Sequence, residues 1–545
     1  MATCDHDGCC GRRFAGRHCI EHITESELLA AAQSLRSGEP LDARGATISE
    51  AALRRLLDAL ADKEHEAWLT SLDPDRSAPV ITGSVHFDKA TFSGFANFAG
   101  VTFSAPAYFD GATFQEAACF ERCTFSEHAD FDGVTFSKLA AFSEAIFKDH
   151  AGFQGASFQD TVAFDAVKFR SYVDLENATV DGDANMQGAT FQLARQVGPF
   201  VVGEHLALDE SVFGERVTME VLASRISAWG AIFAGGVRLS VDKADMEFDC
   251  VDFGRSATLS RATRSAFPVT KGRDSRWSNR ANRQPRLLTI CGAQVASLSI
   301  SGTNLRDCSL FGAHGVESLI VEPSCEWRHT PRSRLCIDRE IIAEERDWHL
   351  AKERQFCADH GRRRRFAVNW EDDPAPDRPE EDCDDDPLRP DQLAALYRAL
   401  RKAGEDNNDQ AGASDFYYGE MEMRRRMSIP AGRGRWRAHF DRAVISAYWL
   451  LAGYGLRAWR SLATLAAVVL GASLILWQVG FRDSVEPTTF LHAGRVAVAS
   501  ATSLVRPVDD SELNGVGFGI EIALRFTGPV LLTLSALAVR ARIKR

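Results

Sequence analysis

The stretch ADFDGVTFSKLAAFSEAIF, residues 129–147, carries phenylalanine with gaps of five, six and five residues, at Phe131, Phe136, Phe142 and Phe147. The alternation runs from Phe87 to Phe169 and then continues through Leu175, Val180, Met186 and Phe191. Two residues before each of these positions lies a small residue, Ala, Val or Cys. A double pattern sustained over about 100 residues indicates a repeat structure.

Neither a helix nor a continuous strand explains this spacing. In a helix, positions five apart lie about 140° apart, which would split the Phe residues into two stripes. In a continuous strand, odd spacings would place successive Phe residues on opposite faces. A chain that turns a corner after each Phe instead points one small and one large residue inward on every face.

The sequence therefore predicts a solenoid whose coils stack around a phenylalanine core. Four faces of five or six residues make a coil of about 22 residues, and about five coils fit between residues 85 and 191. Phe131, Phe136, Phe142 and Phe147 are assigned to the four inner faces of one coil. The pattern weakens between about 192 and 260, and Leu305 and Leu310 indicate further coils at 287–325.

Composition and motifs argue against several classes of protein. The net charge of −12 over 545 residues makes nucleic acid an unlikely partner. The 13 cysteines are odd in number and scattered, unlike a disulfide framework. The sequence contains no phosphate-binding loop, no nucleophile elbow and no metalloprotease motif. We therefore expect no enzymatic activity.

The C-terminal region predicts two membrane spans. SLATLAAVVLGASLILWQV, residues 461–479, holds no charge and is long enough to cross a bilayer, and the stretch 516–539 is a second apolar segment. Basic residues lie at Arg457 and Arg460 and in RARIKR after the second segment. By the positive-inside rule we expect a multi-pass protein of the inner (plasma) membrane with cytoplasmic termini. The alternative is a pair of buried helices in a soluble domain.

Within this region Glu521 and Arg525 are spaced to pair on one helix face. Ionisable groups within a span suggest function, such as a pore, although a simple intrahelical ion pair is the alternative. The apolar stretch 490–505 between the spans is too short to cross and predicts a re-entrant helix, as in a two-span channel. GVGFG at 515–519 lacks the preceding threonine of a potassium filter.

The N-terminal stretch CDHDGCCGRRFAGRHCIEH offers a set of metal ligands, Cys4, Cys9, Cys19 and His22. Four soft ligands at such spacing suit a closed tetrahedral site for a structural zinc ion. His6, Cys10 and His18 are alternative ligands, and thiols in a leader without metal are the alternative interpretation.

The chain divides into consecutive segments. Their predicted bounds are a zinc-knuckle-like leader 1–24, a helical segment 25–79, Phe-rich coils 80–260, a basic linker 261–286, further coils 287–325, a helical segment 326–370, an acidic linker 371–389, a helical hairpin 390–428, a basic juxtamembrane segment 429–460, a first span 461–480, an extracytoplasmic loop 481–515, a second span 516–539 and a tail 540–545.

The tandem Ala-x-Phe-x-x units, with FDGATF and FDGVTF, resemble the pentapeptide-repeat family. That resemblance implies a right-handed quadrilateral β-helix. The order of knuckle, Phe repeats, IAEERDW, SDFYYGEMEMRRR and two spans resembles actinobacterial pentapeptide-repeat membrane proteins, a resemblance that transfers no activity.

Two functions are compatible with these features. The first is a membrane-anchored, channel-like or scaffold protein that lies in the lipid bilayer, binds a cytoplasmic protein partner and forms a homo-oligomer. The second follows from the resemblance, since some pentapeptide-repeat proteins imitate DNA and bind gyrase. Residues 85–191 hold 15 Asp/Glu against 6 Lys/Arg, a net of −9, which suits such a mimic and equally a solvated surface.

Overall fold

The computed structural model describes residues 4–6, 18–61, 79–263, 284–330, 339–360, 388–427, 435–454, 458–481, 489–502 and 513–543. The chain divides into two compact units, Met1–Asp384 and Asp385–Arg545. The basic segment 264–283 and most of the acidic linker, at 371–387, lie outside the described residues.

As predicted, the first unit contains a right-handed quadrilateral β-helix, which has about ten turns. Short parallel strands form four sheets along its sides. The first side contains Leu41–Asp42, Val85–His86, Ala107–Tyr108, Ala129–Asp130, Ala151–Gly152 and Val173–Asp174. The second contains Thr47–Ile48, Thr91–Phe92, Thr113–Phe114, Thr135–Phe136, Ser157–Phe158, Thr179–Val180, Gln196–Val202, Val217–Leu222, Val237–Asp242, Ala257–Arg261, Leu298–Ile300 and Ile320–Val321.

The other two sides are built in the same way. The third contains Ala96–Asn97, Ala118–Cys119, Ala140–Ala141, Val162–Ala163, Ala184–Asn185, His205–Ala207, Arg225–Ser227, Asp245–Glu247 and Arg286–Thr289. The fourth contains Val80–Ile81, Thr102–Phe103, Thr124–Phe125, Ile146–Phe147, Lys168–Phe169, Thr190–Phe191, Val212–Phe213 and Ile232–Phe233. A short 3-10 helix, Val316–Ser318, lies near the end of the solenoid.

The phenylalanine core follows the predicted assignment. Phe131, Phe136, Phe142 and Phe147 lie on four successive sides of one coil, and each is at most 1% exposed. Each ring stacks on the ring at the same position of the next coil, as Phe131 does on Phe153, with centroids 5.1 Å apart and planes within 4°. Within a coil, rings meet edge to face, as Phe131 and Phe142 do at 88°. Both arrangements suit the aromatic quadrupole.

The corners require an unusual backbone conformation, which glycine adopts without strain. Gly133 in FDGVTF has φ of +61°, in the left-handed region. Its N–H donates to the carbonyl of Gln154 on the next coil, 2.8 Å away. The glycine of the repeat thus serves the corner, whereas the Phe serves the core.

The coils change beyond residue 191, where the sequence pattern weakens. Ala184 pairs with Leu206, one full coil later, but His205 pairs with Arg225, so the following coil is shorter. The first side ends at Val173–Asp174, and strands of the second side lengthen, as at Val217–Leu222. The solenoid therefore continues through residue 321 with a different cross-section.

Helices lie at the N-terminal end of the solenoid. Helix α1 spans Glu25–Arg36 and α2 spans Glu50–Leu60. The carbonyl of Leu35 in α1 accepts hydrogen bonds from the Gly83 N–H at 3.1 Å and from the Thr82 hydroxyl at 2.6 Å. Repeat proteins need such terminal caps because their last coils would otherwise expose core.

The segment 25–79, predicted to be helical, also contains two strands of the solenoid. Leu41 pairs with Val85 and Ile48 with Phe92, although each pair is separated in sequence by two coil lengths. Leu41 and Ile48 are fully buried. The extra residues before the next coil conceal the repeat in the sequence.

The C-terminal end of the solenoid is covered by helix α3, Ala343–His360, which follows an antiparallel pair of strands, Arg328–His329 and Glu340–Ile341. The segment 326–370, predicted to be helical, thus begins with strand. The Glu344 carboxylate in the first turn of α3 accepts the Leu310 N–H at 2.5 Å and the Ser309 hydroxyl at 3.3 Å. The Asp307 carboxylate pairs with both Arg328 and Arg346, at 2.6 and 3.3 Å.

The second unit is helical. It contains α4 (Pro390–Asp406), α5 (Gln410–Arg426), α6 (Arg435–Ala452), α7 (Ala458–Ile475, continued by a π-helical turn Leu476–Gly480), α8 (Phe490–Thr502) and α9 (Gly515–Ile543). Two stretches, Arg460–Gly480 and Gly515–Ala536, are long and apolar enough to cross a membrane. Helix α8 packs against both through Ala493 and Ala497, beside Leu476 of the first and Leu524 of the second.

Candidate functional site

Three of the four predicted metal ligands lie together. The ligand atoms of Cys4, Cys19 and His22 all lie within 4.8 Å of one another. The His22 Nδ1 atom is 3.4 Å from the Cys19 sulfur and 3.8 Å from the Cys4 sulfur. Both cysteines are buried, whereas His22 is partly exposed. The fourth predicted ligand, Cys9, lies outside the described residues.

The local fold brings these ligands together through a tight turn. The His22 N–H donates to the Cys19 carbonyl at 3.1 Å, and the Cys19 N–H donates to the Cys4 sulfur at 3.3 Å. Glu21, within the turn, accepts from the Ser49 N–H at 3.0 Å and from the Ser49 hydroxyl at 2.8 Å. Because Ser49 caps α2, the turn is fixed to the N-terminal cap of the solenoid.

The separations of these atoms fit a metal ion. Zn–S bonds of about 2.3 Å and Zn–N bonds of about 2.0–2.1 Å place a sulfur and a nitrogen about 3.6 Å apart on a tetrahedron. The observed 3.4 and 3.8 Å lie on either side of that value. Cys4, Cys19 and His22 can therefore hold a metal.

The alternative ligands are placed differently. The His18 Nδ1 atom lies 3.3 Å from the Glu27 carboxylate, and His6 stacks on the His22 ring with centroids 3.9 Å apart. Glu27 also closes the capping box of α1, and the Thr24 hydrogen bonds lower the pKa of its carboxyl to about 2. Cys10 lies outside the described residues.

In the second unit, Glu521 and Arg525 form the predicted pair on one face of α9. The Arg525 guanidinium donates to one oxygen of Glu521. The Glu521 side chain is 1% exposed and that of Arg525 is 25% exposed. The other oxygen of Glu521 is buried and accepts no hydrogen bond from the described residues. The pair thus faces the interior of the helical unit rather than its outer surface.

The helices α7, α8 and α9 approach one another closely where residues are small. A β-carbon built at Gly528 of α9 would overlap the carbonyl oxygen of Ala501 in α8. The Ser535 hydroxyl of α9 donates to the Ser461 hydroxyl of α7 at 2.8 Å. The stretch 490–505, predicted as a re-entrant helix, is helical at Phe490–Thr502 and packs between the two apolar helices.

Sequence reasoning missed two buried carboxylates in the hairpin of α4 and α5. Glu420, 1% exposed, pairs with Arg398, Arg401 and Arg424 at 3.1, 2.9 and 2.5 Å. Glu422 pairs with Arg425 and Arg426, at 2.7 and 2.6 Å. From the sequence alone, MEMRRR at 421–426 is expected to be a basic stretch exposed to solvent. The ion pairs of this region become apparent only in the folded hairpin. The ion pairs of Glu420 with Arg398 and Arg401 join α5 to α4, whereas those of Glu422 lie within α5.

Sequence reasoning also missed a pair of histidines on the outside of the solenoid. His128 and His150 are partly exposed and 22 residues apart. That separation equals one coil length, so the repeat period alone would have placed them side by side.

The comparison with family models agrees with this fold. The model of pentapeptide repeats (9 copies) matches residues 79–118, 109–157 and 120–168. Neither the curated proteins nor the solved structures contain a match to the chain. β-Solenoids of this family are generally non-enzymatic. The matched repeats and the solenoid they build identify the chain as a pentapeptide-repeat protein.

Proposed function

We propose that this is an integral membrane protein without catalytic activity, in which the pentapeptide-repeat solenoid is a cytoplasmic scaffold that binds a protein partner. The observation that carries the membrane assignment is the apolar outer surface of α7 and α9. Leu470 and Val479 are 59% and 56% exposed, and Phe526 and Val530 are 70% and 57% exposed. Large apolar side chains exposed in such numbers on two long helices are unusual in a soluble monomer, whereas a bilayer would cover them.

The distribution of charge supports an orientation with both termini in the cytoplasm. Arg460 begins the first apolar stretch, and the basic sequence RARIKR follows the second. In the positive-inside rule these ends face the cytoplasm. The chain then crosses the plasma (inner) membrane twice, and the solenoid lies on the cytoplasmic side.

The solenoid supports a scaffold role because its interior is filled with side chains. The Phe core leaves its outer sides as the surfaces for binding. A photo-crosslinking amino acid, p-benzoylphenylalanine, incorporated genetically at exposed Leu139 would test this role in membranes. A discrete crosslinked product that is absent after incorporation at a membrane-facing position such as Leu470 supports the scaffold. Crosslinking to lipid or solvent alone contradicts it.

The packing of α8 between two apolar helices supports a channel-like arrangement of span, re-entrant helix and span. The described residues of one copy have too few helices to enclose a pore, so such a channel would be a homo-oligomer. Glu521 is the pore candidate, and because it is buried and paired with Arg525 within one copy, this pair would have to open for Glu521 to reach a pore between copies. Ion flux through liposomes containing the wild type or Glu521→Ala tests this addition. Flux that is absent from both contradicts the channel and leaves the scaffold intact.

We also propose that Cys4, Cys19 and His22, with Cys9 as the fourth ligand, hold a structural zinc ion. Buried thiolates and an imidazole suit zinc. Four protein ligands close the coordination sphere, so the ion would fix the segment before α1 and would not catalyse a reaction.

The second candidate function is an acidic DNA mimic that binds gyrase. It is favoured by a column of acids along one corner of the solenoid, where Asp88, Asp110 and Asp132 occupy equivalent positions on successive coils. Inhibition of gyrase supercoiling by the full chain in detergent would support it. Unchanged supercoiling contradicts it, and a membrane location makes access to gyrase difficult.

A further inference from the structure

The first side of the solenoid carries two imidazoles at equivalent positions on adjacent coils. His128 directly precedes the strand Ala129–Asp130, and His150 directly precedes Ala151–Gly152. These strands pair in parallel register, Ala129 with Ala151. The ring planes are within 10° of parallel and the centroids are 5.1 Å apart, and because the Nδ1 atoms are only 3.1 Å apart, the Nδ1 edges of the two rings face each other.

This separation matches that of two ligands on one metal ion. Metal–nitrogen bonds of about 2.0–2.1 Å place two imidazole nitrogens about 2.9 Å apart at a right angle and about 3.4 Å apart on a tetrahedron. Imidazole nitrogen is a good ligand for nickel, copper and zinc. We propose that His128 and His150 form a metal site for a late first-row divalent cation on the outside of the solenoid, separate from the Cys4, Cys19 and His22 group.

Asp130 places a carboxylate next to the two histidines. Its carboxylate lies 3.9 Å from Nε2 of His128, on the opposite side of the ring from His150. It is held in place because it accepts the Asp132 N–H at 3.0 Å. Its negative charge beside His128 attracts a cation to this part of the first side.

To bind one ion together, both rings must be neutral and present their Nδ1 lone pairs, with the ring proton on Nε2. Without metal, the same two Nδ1 atoms lie within hydrogen-bond distance, and either ring can be the donor. Asp132, whose oxygen accepts the Gln154 N–H at 2.7 Å, adds negative charge beside the pair.

The site would be open and exchangeable. The side chain of His128 is 34% exposed, so water can occupy the remaining positions around the ion. Both histidines are held by paired strands of a rigid sheet, and little conformational entropy is lost on binding. The ion would join two adjacent coils of the solenoid.

The test is Ni²⁺ binding to the full chain in detergent after chelator treatment, measured by isothermal titration. We expect both His128→Asn and His150→Asn to lose one equivalent of Ni²⁺ relative to the wild type. The matched control is His86→Asn, on the same side of the solenoid, which should lose none. The Cys4, Cys19 and His22 group is intact in every variant, so its contribution cancels. An unchanged stoichiometry in both variants, or the same loss in His86→Asn, overturns the proposal.

A second measurement needs no substitution and therefore holds if a variant misfolds. Diethyl pyrocarbonate modifies accessible imidazoles, and peptide mass spectrometry locates the modification. We expect Ni²⁺ to reduce modification of His128 and His150 at least several-fold while His86 reacts equally with and without the ion. Equal modification of all three residues in both conditions overturns the proposal.

Discussion

The rings of Phe142 and Phe164 lie 5.1 Å apart with planes within 22°, and Phe120 stacks on the other side of Phe142 at 4.9 Å. Phe142 is therefore surrounded by aromatic rings on both neighbouring coils, and it is fully buried. These rings form a column of stacked phenylalanines along the core. The packing of each coil therefore depends on the coils before and after it.

Phe142→Ala should destabilise the solenoid by about 3–5 kcal/mol, because it removes a buried ring and leaves a cavity that a rigid coil cannot close. The measurement is unfolding of the full chain in detergent by guanidinium, followed by far-UV circular dichroism. Leu139→Ala, on the same side of the coil and 43% exposed, is the control and should change stability by less than about 0.5 kcal/mol. Equal effects of the two substitutions would contradict a continuous core.

The regularity of this column explains why the solenoid was predictable. The Phe spacing reports the corners directly, since each inner position must be large and each position two residues earlier must be small. Beyond residue 191 many inner positions become Val, Leu and Met, and the coil becomes shorter where His205 pairs with Arg225. With both the residue type and the period changing, the sequence no longer reveals the coils.

The sites could be predicted only in part, because several of their contacts join residues that are far apart in the sequence. Cys19 and His22 are close in sequence and share a turn, so their spacing suggests a metal site directly. Glu344, in contrast, binds the N–H of Leu310, 34 residues earlier, and its role in capping the solenoid depends on where the last coil ends. The proximity of His128 and His150 can be predicted only when the 22-residue period is applied to polar residues as well as to Phe.

Glu344 gives a pH-dependent prediction. Burial raises the pKa of its carboxyl, so the folded state favours the protonated form. Its contribution to stability is therefore fully present below the pKa of the unfolded chain and is lost as pH rises through the higher folded pKa. Glu344→Gln keeps an oxygen for the Leu310 N–H without the charge, and it should be more stable than the wild type at pH 7.

The advantage of Glu344→Gln should disappear when the pH falls below about 4, where the wild-type carboxyl is also protonated. Glu344→Ala leaves the buried Leu310 N–H without its acceptor and should cost about 1–3 kcal/mol. Thermal unfolding of the three proteins at pH 4 and pH 7 measures both effects. A wild type that is more stable than Glu344→Gln at pH 7 would contradict this account of the cap.

If Cys4, Cys19 and His22 bind a zinc ion, substitution of one of these ligands should remove it from the protein. Cys19→Ser and His22→Ala should each lower the zinc content of the purified chain by about one equivalent, because each removes one of the ligands of a single ion. Cys357→Ser in α3 is the control and should leave the zinc content unchanged. Chelation should also speed amide hydrogen exchange in α1, which follows the metal turn. Zinc content that is equal in all four proteins would rule out the site.

The close packing of α8 on α9 predicts a contrast between two glycines of the same helix. Gly528→Ala places a methyl group against the Ala501 carbonyl, whereas a methyl group at Gly519 meets open space. Gly528→Ala should therefore cost about 1–3 kcal/mol through overpacking, and Gly519→Ala should be neutral or slightly stabilising in a helix. Thermal unfolding in detergent is the measurement. The opposite order would mean that α8 does not pack against α9 at this position.

Carbonate extraction of membranes from cells expressing the full chain tests the membrane assignment most directly. Alkaline carbonate releases peripheral proteins but leaves proteins that cross the bilayer in the pellet. The exposed apolar surfaces of α7 and α9 predict that the chain remains in the pellet and enters solution only with detergent. Recovery of the chain in the carbonate supernatant would contradict two membrane-spanning helices.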